Sequence, residues 1–487
     1  MSVDKRFSKQ NIERGLHYLK RNGFKQAFFK AKERIDRDIQ EENYEEWLQN
    51  NLPTQAELEQ QRMHVFPHRY KISILVPAYE TNLVFLKEMI LSVMGQSYDN
   101  WELCIADGSE SDRVKNCVMD MVGKCADLCC NSKIKYQKLD KNYGISVNSN
   151  KALEMSTGDY VGLLDHDDLL TKDALYEIVK ALQDGVQIVN GIRENKILAL
   201  YSDEDKINQD GSEYFDYHRK PDFNPDLLRT NNYICHFFVV ERNIAVKVGG
   251  FRTEYNGAQD HDFIFRCIES ASKSQIIHIN KVLYHWRAHE LSTADNPESK
   301  LYAYEAGKHA IEAHLERMGL EGEVIYTPHL GFFRVKYKQA EGRVMTITKK
   351  MWDAMNSADI ALLSEEYIMI LNSNLRPLTP NWQAELLSHL VRSEVGAVGG
   401  KLYTRKNTIE SAGYSKNEDG KLIPNFRGMN RYYSGYMHRA CLQQEVDGLS
   451  LDCMMIKKSA LNLTNEKPGM LKEYIAVFDP YVEFKRK

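Results

Sequence analysis

The sequence lacks the features that usually mark membrane-spanning, secreted and nucleic-acid-binding proteins. It has no window of about 18 or more uninterrupted apolar residues, so no segment is predicted to span a bilayer. The start of the chain carries charges where a signal peptide needs an apolar stretch. Positive and negative charges are also nearly balanced, since the chain has 64 Lys and Arg residues and 68 Asp and Glu residues. The net charge of -4 gives no general reason to expect nucleic acid as a partner.

The sequence also lacks a recognisable zinc site or disulfide framework. Its nine cysteines are scattered, and the one close group comprises Cys125, Cys129 and Cys130. This group has no second Cys/His pair, and we interpret it as structural rather than as metal ligands. Cysteine usage and the missing signal peptide therefore predict a cytoplasmic protein.

The chain of 487 residues is longer than one hydrophobic core normally supports, so two domains and a helical arm are expected. Residues 1–66 are predicted to be that arm, because apolar residues recur at helical spacing among basic ones. Two interpretations of the arm stay open. It could lie on an anionic membrane at its inner face, or pack on the first domain with a solvated basic face. The acidic stretch at residues 36–46 favours packing, since anionic lipid would repel it.

From Lys71 onward, short apolar strands alternate with amphipathic helices, a pattern typical of a mainly parallel α/β sheet. Ligands of such sheets bind beyond the carboxyl ends of the strands. Polar groups follow three predicted strands, at Pro77-Ala78-Tyr79-Glu80, Asp107-Gly108-Ser109 and Asp165-His166-Asp167-Asp168. Clustered carboxylates are suited to a divalent cation that bridges protein and phosphate oxygens. The three strand ends together predict a nucleotide pocket.

These segments, with five others in the same order, resemble the family 2 glycosyltransferases of the GT-A fold. The further matching segments are Asn142-Tyr143-Gly144-Ile145-Ser146, Thr157-Gly158-Asp159-Tyr160, Gly249-Gly250-Phe251-Arg252, Gly257-Ala258-Gln259-Asp260-His261-Asp262 and Leu283-Tyr284-His285-Trp286-Arg287. The resemblance implies a GT-A domain at residues 67–330. It also implies an inverting, metal-dependent, hexosyltransferase-type reaction with a nucleoside-diphosphate sugar as donor.

The resemblance also implies roles for individual residues. The residues implied to contact the nucleotide sugar are Pro77, Tyr79, Glu80, Asp107, Asp165 and Asp203. The residues implied to bind Mn²⁺ or Mg²⁺ are Asp165, Asp167 and His285, with His289 as an alternative to His285. His285 is predicted to lie just after a strand that spans Ile276 to Leu283. For Asp203 and its neighbour Asp205, closing a turn is an equal alternative.

The general base that takes the acceptor proton is implied to be Asp260, with Asp262 as its rival. The alternative role for Asp262 is that of an acid favoured by the dipole at a helix N-terminus. Two positions depart from the family pattern. Gln259 stands where Glu is frequent, and Ser149 stands where many relatives carry an Arg that faces the phosphates.

Residues 331–487 are predicted to form a second, smaller and incomplete domain of the same kind. The stretch Glu366–Asn374 repeats the pattern of Asp159–Asp167, but Asn372 and Asn374 replace the two metal-binding acids. An uncharged amide holds a divalent cation poorly. The segment that precedes the repeat is too short for the two strand-helix units of a nucleobase site. A structural, an acceptor-positioning and a partner-binding role all stay open for this domain.

The predicted function is transfer of a sugar to a saccharide or lipid-linked saccharide acceptor in surface polysaccharide synthesis, with no nucleic-acid partner. One alternative is an inactive carbohydrate-binding or scaffold protein that retains the GT-A fold. A two-site polysaccharide polymerase is the other alternative, and Asn372 and Asn374 argue against it because it needs a second working site.

Overall fold

A computed structural model describes residues 19–20, 23–35, 44–124, 132–189, 192–195, 197–289, 301–339, 341–466, 468–471 and 473–487. The predicted Cys125, Cys129 and Cys130 group lies outside these residues. The chain divides into two compact units. The central unit comprises the described residues of Gln40–Phe223 and Asn232–His314. The C-terminal unit comprises Asn224–Asn231, the described residues of Leu315–Lys487, and those that precede residue 39. The domain boundaries predicted after residues 66 and 330 stay predictions.

The helices are distributed over both units. Numbered in chain order they are α1 Tyr44–Asn51, α2 Gln55–Met63, α3 Leu83–Met94, α4 Arg113–Lys124, α5 Ile145–Met155, α6 Ala174–Asp184, α7 Pro225–Leu228, α8 Arg242–Lys247, α9 Gln259–Ile268, α10 Leu301–Arg317, α11 Lys349–Ala354, α12 Ser357–Ala361 and α13 Trp382–His389. Helix α3 begins where the Asn82 side chain accepts a hydrogen bond from the Val84 amide, and it ends at Gly95. Within the described residues, no helix combines the length and the apolarity needed to cross a membrane.

The strands are short, and those of the central unit's sheet core are apolar. In chain order they are β1 Ile72–Ala78, β2 Trp101–Asp107, β3 Ile134–Lys138, β4 Tyr160–Leu163, β5 Leu169–Leu170, β6 Val186–Val189, β7 Ile192–Asn195, β8 Ala199–Asn208, β9 Tyr214–His218, β10 Phe238–Glu241, β11 Ile276–Ala288, β12 Gly322–Tyr326, β13 Phe333–Tyr337, β14 Val344–Ile347, β15 Tyr367–Leu371, β16 Leu375–Pro377, β17 Val395–Tyr403, β18 Ile409–Ser411, β19 Tyr414–Lys416, β20 Leu422–Pro424, β21 Gln444–Val446, β22 Cys453–Lys457, β23 Leu461–Asn462, β24 Gly469–Met470 and β25 Ile475–Arg486.

The central unit has a nine-stranded sheet in the order β3-β2-β1-β4-β10-β8-β11-β5, with β9 paired to β8. Strands β3, β2, β1 and β4 are parallel, as are β8 and β11. Strand β10 runs antiparallel to both of its neighbours. Its amino end therefore meets the carboxyl end of β4 at one edge of the sheet. This mainly parallel sheet with flanking helices confirms the predicted α/β fold class.

The C-terminal unit repeats the second half of this sheet. Its strand order β14-β15-β22-β17-β25-β16 matches β1-β4-β10-β8-β11-β5 position by position. The sense of each pairing is also the same, with parallel pairs at β14/β15 and β17/β25 and antiparallel pairs elsewhere along the path. Among the described residues, no strand pairs with the outer edge of β14. The described residues of this sheet thus contain no counterparts of β2 and β3, and the incompleteness of the second domain stays a prediction.

The helical residues 23–35 belong to the C-terminal unit and not to the first domain, on which the sequence-based alternative placed the arm. The Phe29 ring lies 4.8 Å from the ring of Tyr432. The Glu33 carboxylate accepts hydrogen bonds from the Ser434 hydroxyl at 3.0 Å and from the Gly435 amide at 2.7 Å. These contacts hold one face of the basic helix against the protein. Helices α1 and α2 instead belong to the central unit.

A buried ion pair stabilises the C-terminal unit. Arg392 Nη1 lies 2.6 Å from Asp226 Oδ1, and both side chains are at least 98 % buried, being 1 % and 2 % exposed. The guanidinium carbon of Arg392 lies 4.6 Å from the centre of the Tyr337 ring. Burial alone would raise the pKa of Asp226, but the charges of Arg392 and Arg229 outweigh it and hold that pKa at about 2.

Replacing Asp226 by Asn is expected to lower the free energy of unfolding of the C-terminal unit by about 3–5 kcal/mol, because Arg392 then stays buried without a counter-charge. Hydrogen exchange of the β13 and β17 amides in mild urea measures this unit by itself. Asp353→Asn is the matched control, since Asp353 forms an exposed pair with Lys349 at 3.7 Å. It should change the free energy by less than about 1 kcal/mol. Equal effects of the two substitutions would contradict the assignment.

The same pair should make the unit sensitive to acid. The folded pKa of Asp226, about 2, lies below the ordinary value of 3.8. Its contribution is therefore complete above about pH 4 and is lost as the pH falls toward 2, because the unfolded chain takes up the proton first. The stability difference between wild type and Asp226→Asn should shrink over that range. A difference that stays constant with pH would exclude this pair as its source.

Candidate active site

Two adjoining cavities open at the edge of the central sheet where β1 and β4 end. The larger has a volume of 1020 Å³ and the smaller a volume of 630 Å³. Four residues line both cavities, namely Pro77, Ile145, Asp165 and Trp286. Asp165 thus lies at the junction between the two cavities. A donor and an acceptor bound in the two cavities would meet there.

The larger cavity is bounded by three predicted nucleotide-sugar residues besides Asp165. Pro77, Tyr79 and Glu80, at the end of β1, all line it, and the Tyr79 side chain is 43 % exposed. The Glu80 carboxylate accepts hydrogen bonds from the Ser111 amide and hydroxyl at 3.0 Å. These bonds lower the pKa of Glu80, so that it stays ionised at the wall.

Three buried polar atoms of the larger cavity have no hydrogen-bond partner within the described part of the chain. They are Thr81 Oγ1, Asn148 Oδ1 and His166 Nδ1. A buried polar atom without a partner costs about 1–3 kcal/mol, and native proteins contain few of them. Three such atoms around one cavity are available to form hydrogen bonds with a polar ligand.

An acidic cluster with one imidazole lies beside the junction. Asp165, Asp168 and His236 each place one ligand atom within 4.8 Å of the other two. Burial, followed by the charge of Asp167, raises the pKa of Asp168 well above its ordinary value. Burial and Asp167 likewise raise the pKa of Asp165, although His236 acts in the opposite direction. Two such carboxylates are stabilised when a cation binds between them, so the donor set fits a divalent metal.

The ring of His236 is oriented by residues behind it. Its Nδ1 lies 3.2 Å from Glu204 Oε2, and the ring stacks on Tyr284 with centres 4.6 Å apart. Lys220 in turn contacts Glu204 at 3.0 Å. Nδ1 is thus engaged with a carboxylate, and Nε2 lies 3.3 Å from Cys235 Sγ, so a metal bound at Nε2 would take the place of that thiol contact.

The structure does not bring His285, the predicted metal ligand, into this cluster. Strand β11 continues to Ala288, so His285 lies within the strand and not after it. The neighbouring Tyr284 donates a hydrogen bond to Asp168 at 2.5 Å. Successive side chains of a strand face opposite sides, and His285 instead pairs with Asp205 at 2.6 Å. This pairing leaves Asp205 engaged inside the protein, and a role of His285 as a metal ligand stays a prediction.

Asp167, the other predicted metal ligand, lines the larger cavity beside Asp165. Its Oδ2 lies 2.8 Å from His289 Nε2. Burial opposes ionisation, but the hydrogen bond from His289 and the charge of His166 outweigh it and lower the pKa of Asp167. His289, the alternative to His285, therefore contacts Asp167 of this motif.

Two predicted nucleotide-sugar residues, Asp107 and Asp203, line neither cavity. Both are fully buried. Asp107 accepts hydrogen bonds from the Ser109 amide at 2.8 Å and from the Tyr136 hydroxyl at 2.6 Å. Asp203 accepts bonds from Tyr217, from the Lys220 amide and from His278, each at 2.8 Å. Internal donors thus hold both carboxylates in place, and their role in binding the nucleotide sugar stays a prediction.

Asp260 lies in the first turn of α9 and lines the smaller cavity together with Asp165. Asn232 donates a hydrogen bond to Oδ2 at 2.7 Å, and Cys235 Sγ lies 3.6 Å from the same oxygen. The Oδ1 atom has no hydrogen-bond partner in the described part of the chain. A carboxylate held by one oxygen with the other directed to a cavity is able to accept a proton.

The rival carboxylate, Asp262, is fully buried. Arg252 and Arg266 flank it, with Arg266 Nη2 at 2.8 Å from Oδ2. It lines neither cavity. Of the two candidates, only Asp260 is accessible to a ligand. Gln259 and Ser149, the two departures from the family pattern, both line the smaller cavity.

Sequence reasoning missed Asp168 and His236 as partners of Asp165. Asp168 was visible as the fourth residue of its motif, and the expectation that side chains alternate favoured Asp167 instead. His236 has no local signal. The antiparallel pairing of Val239 with Gly162, continued by three residues, places His236 opposite Asp165.

The corresponding place in the C-terminal unit is arranged differently. Asn372 donates a hydrogen bond to Asp452 at 2.8 Å, and Leu375 stands three residues after Asn372, as Asp168 does after Asp165. The Arg486 guanidinium contacts both Asp452 and Glu410. An arginine thus supplies the positive charge here, whereas in the central unit the imidazole of His236 lies beside the two carboxylates.

The chain is similar to several known proteins. Residues 73–249 match the protein-family model described as glycosyl transferase family 2. The chain is 32 % identical over 450 residues to the uncharacterized protein y4gI of Sinorhizobium fredii, covering 80 % of this chain and 48 % of that protein. It is 27 % identical over 431 residues to the O-antigen biosynthesis protein RfbC of Myxococcus xanthus, covering 76 % and 32 % respectively. The chain therefore spans about half of the first relative and about a third of the second.

Among solved structures, the chain is similar to residues 1–349 of TarS from S. aureus in complex with UDP-GlcNAc. The identity is 18 %, the TM-score is 0.38, and the match covers 50 % of this chain and 66 % of the other.

Proposed function

We propose that the central unit, in which residues 73–249 match the glycosyl transferase family 2 model, transfers a sugar from a nucleoside-diphosphate sugar to a saccharide or lipid-linked acceptor, with inversion at the sugar carbon. The observation that carries this proposal is the position of Asp165, which lines both cavities. The similarity to an O-antigen biosynthesis protein supports surface polysaccharide synthesis as the setting.

The larger cavity would bind the nucleotide. Tyr79 presents an exposed ring for stacking on a base, and Thr81, Asn148 and His166 each offer a polar atom that lacks a partner. Specificity for hydroxyl and amide groups follows, since a ligand without them would leave these atoms unpaired.

Asp165, Asp168 and His236 would hold Mn²⁺ or Mg²⁺. When bound, such an ion stabilises the negative charge of a diphosphate leaving group as a Lewis acid. The chain itself contributes the orientation of the donor set: Glu204 fixes the imidazole, while Tyr284 and the Arg287 amide fix Asp168 at 2.5 Å and 2.7 Å.

In the smaller cavity Asp260 would take the proton of the attacking acceptor hydroxyl. Inversion requires one displacement from the side opposite the leaving group, so the base and the diphosphate must lie on different sides of the sugar. Because the two cavities meet at Asp165, the diphosphate would lie in the larger cavity and the base in the smaller one. Asn232 keeps the carboxylate in place by binding its Oδ2 atom.

A thermal-shift screen with nucleoside-diphosphate sugars in Mn²⁺ or Mg²⁺ tests the proposal. At a donor concentration of about 100 times its Kd, the expected rise in melting temperature is about 5 °C or more. The same donor should be hydrolysed slowly without acceptor. Asp165→Ala should abolish both effects, whereas Asp353→Asn in the other unit should preserve them. If no nucleotide sugar shifts the wild-type protein with either metal, the proposal is wrong.

A further inference from the structure

A third cavity, of 340 Å³, lies wholly within the C-terminal unit. Its wall includes Lys401 of β17, Tyr481 and Glu483 of β25, and Tyr432. The helical residues 23–35 close one side through Lys30 and Glu33. We propose that this cavity binds an acidic saccharide through the sugar's carboxylate, with Lys401 as the group that recognises the charge. This inference rests on the cavity alone and is independent of the proposed function.

Lys401 is the observation that points to a ligand. The residue is only 3 % exposed. In the described part of the chain its ammonium makes a single polar contact, with Cys441 Sγ at 4.0 Å, and no carboxylate oxygen lies within salt-bridge distance. A buried ammonium without a counter-charge costs several kcal/mol, and buried lysines are therefore almost always paired. A bound anion would remove this penalty.

The acids in the cavity wall are already engaged by other groups. Glu483 is the register partner of Lys401 in the sheet, yet its carboxylate contacts the Tyr403 hydroxyl and Arg431 Nη2, the latter at 3.3 Å. Glu33 accepts its hydrogen bonds from Ser434 and Gly435. The positive charge of Lys401 is thus not neutralised within the wall.

The remaining lining suits one acidic sugar. Pro328 and Pro480 offer apolar surface that can pack against the C–H groups of a sugar, whereas Lys25 and Phe29 cover Tyr432 and Arg334 covers one face of Tyr481. The volume lies at the small end of the range for ligand pockets. The single charge of a carboxylate matches Lys401, whereas a phosphate monoester carries about −1.5 to −2 at pH 7 and would also need the charge of Arg431, which Glu483 engages at 3.3 Å.

Calorimetric titration of the full chain with D-glucuronate tests this site, with D-glucose and inorganic phosphate as separate arms. We expect glucuronate to bind, glucose to bind much more weakly and phosphate not to compete. Lys401→Met should weaken glucuronate binding about tenfold or more, because it removes a hydrogen bond to a charged group. Lys421→Met, at an exposed lysine of the same unit, is the control and should leave binding unchanged.

Melting temperature separates a binding role from a structural one. A lysine that merely stabilises the fold would lower the melting temperature when replaced, whereas removal of an unpaired buried charge should raise it. We therefore expect Lys401→Met to be more stable than wild type and to retain its response to the nucleotide-sugar donor. Unchanged glucuronate affinity or a lower melting temperature in Lys401→Met, or tighter binding of phosphate than of glucuronate, would overturn the proposal.

Discussion

Asp260→Asn is expected to lower the turnover of sugar transfer by about 10²–10⁴-fold, the usual contribution of a positioned general base. The amide has nearly the same shape but cannot take the acceptor proton. Asn232 holds Oδ2 of the carboxylate at 2.7 Å and leaves Oδ1 to the cavity, so the substitution changes the chemistry more than the packing. Turnover measured at saturating donor and acceptor gives the result directly.

Two measurements keep this result interpretable. Asp260→Asn should retain the donor-induced rise in melting temperature, since the base acts on the acceptor. Asp262→Asn should behave in the opposite way, because it leaves Arg252 and Arg266 beside a neutral group in a buried place, and the melting temperature itself should fall. Near-normal turnover in folded Asp260→Asn would show that another group is the base.

The second large effect concerns the metal. Asp165→Asn, Asp168→Asn and His236→Gln should each weaken Mn²⁺ binding by more than about 100-fold, since loss of a residue that only supports a ligand already costs 10–100-fold. His285→Gln should leave the affinity within about threefold of wild type, because His285 pairs with Asp205 away from the cluster. Calorimetric titration with Mn²⁺ alone measures this without any transfer reaction.

This set of variants compares two ligand assignments. The sequence favoured Asp167 and His285 with Asp165, and the geometry favours Asp168 and His236. Loss of Mn²⁺ binding in His285→Gln together with unchanged binding in His236→Gln would reject the assignment from the geometry. Removal of metal with a chelator should also abolish the donor-induced stabilisation of the wild-type protein.

The C-terminal unit shows how far an internal repeat can be interpreted from sequence. The alignment of Glu366–Asn374 with Asp159–Asp167 predicted an incomplete copy, and the structure repeats six strands of the central sheet in the same order. The replacement of acids by Asn372 and Asn374 was visible in the sequence. The contact between Arg486 and Asp452 was not visible in the sequence, because only the pairing of strands across the whole sheet brings β25 to this position.

Local patterns in the sequence determined the alternation of strands and helices, and with it the edge at which Pro77, Tyr79, Asp165 and Asp260 gather. Burial of apolar strands is a property of neighbouring residues, so this much follows from short stretches of chain. Only the tertiary structure decided which polar side chains face the cavities. Strand β10 enters the sheet antiparallel between β4 and β8 and delivers His236, while the continuation of β11 turns His285 to the other face. Such choices depend on pairing between residues that are distant along the chain, and no spacing within one segment encodes them.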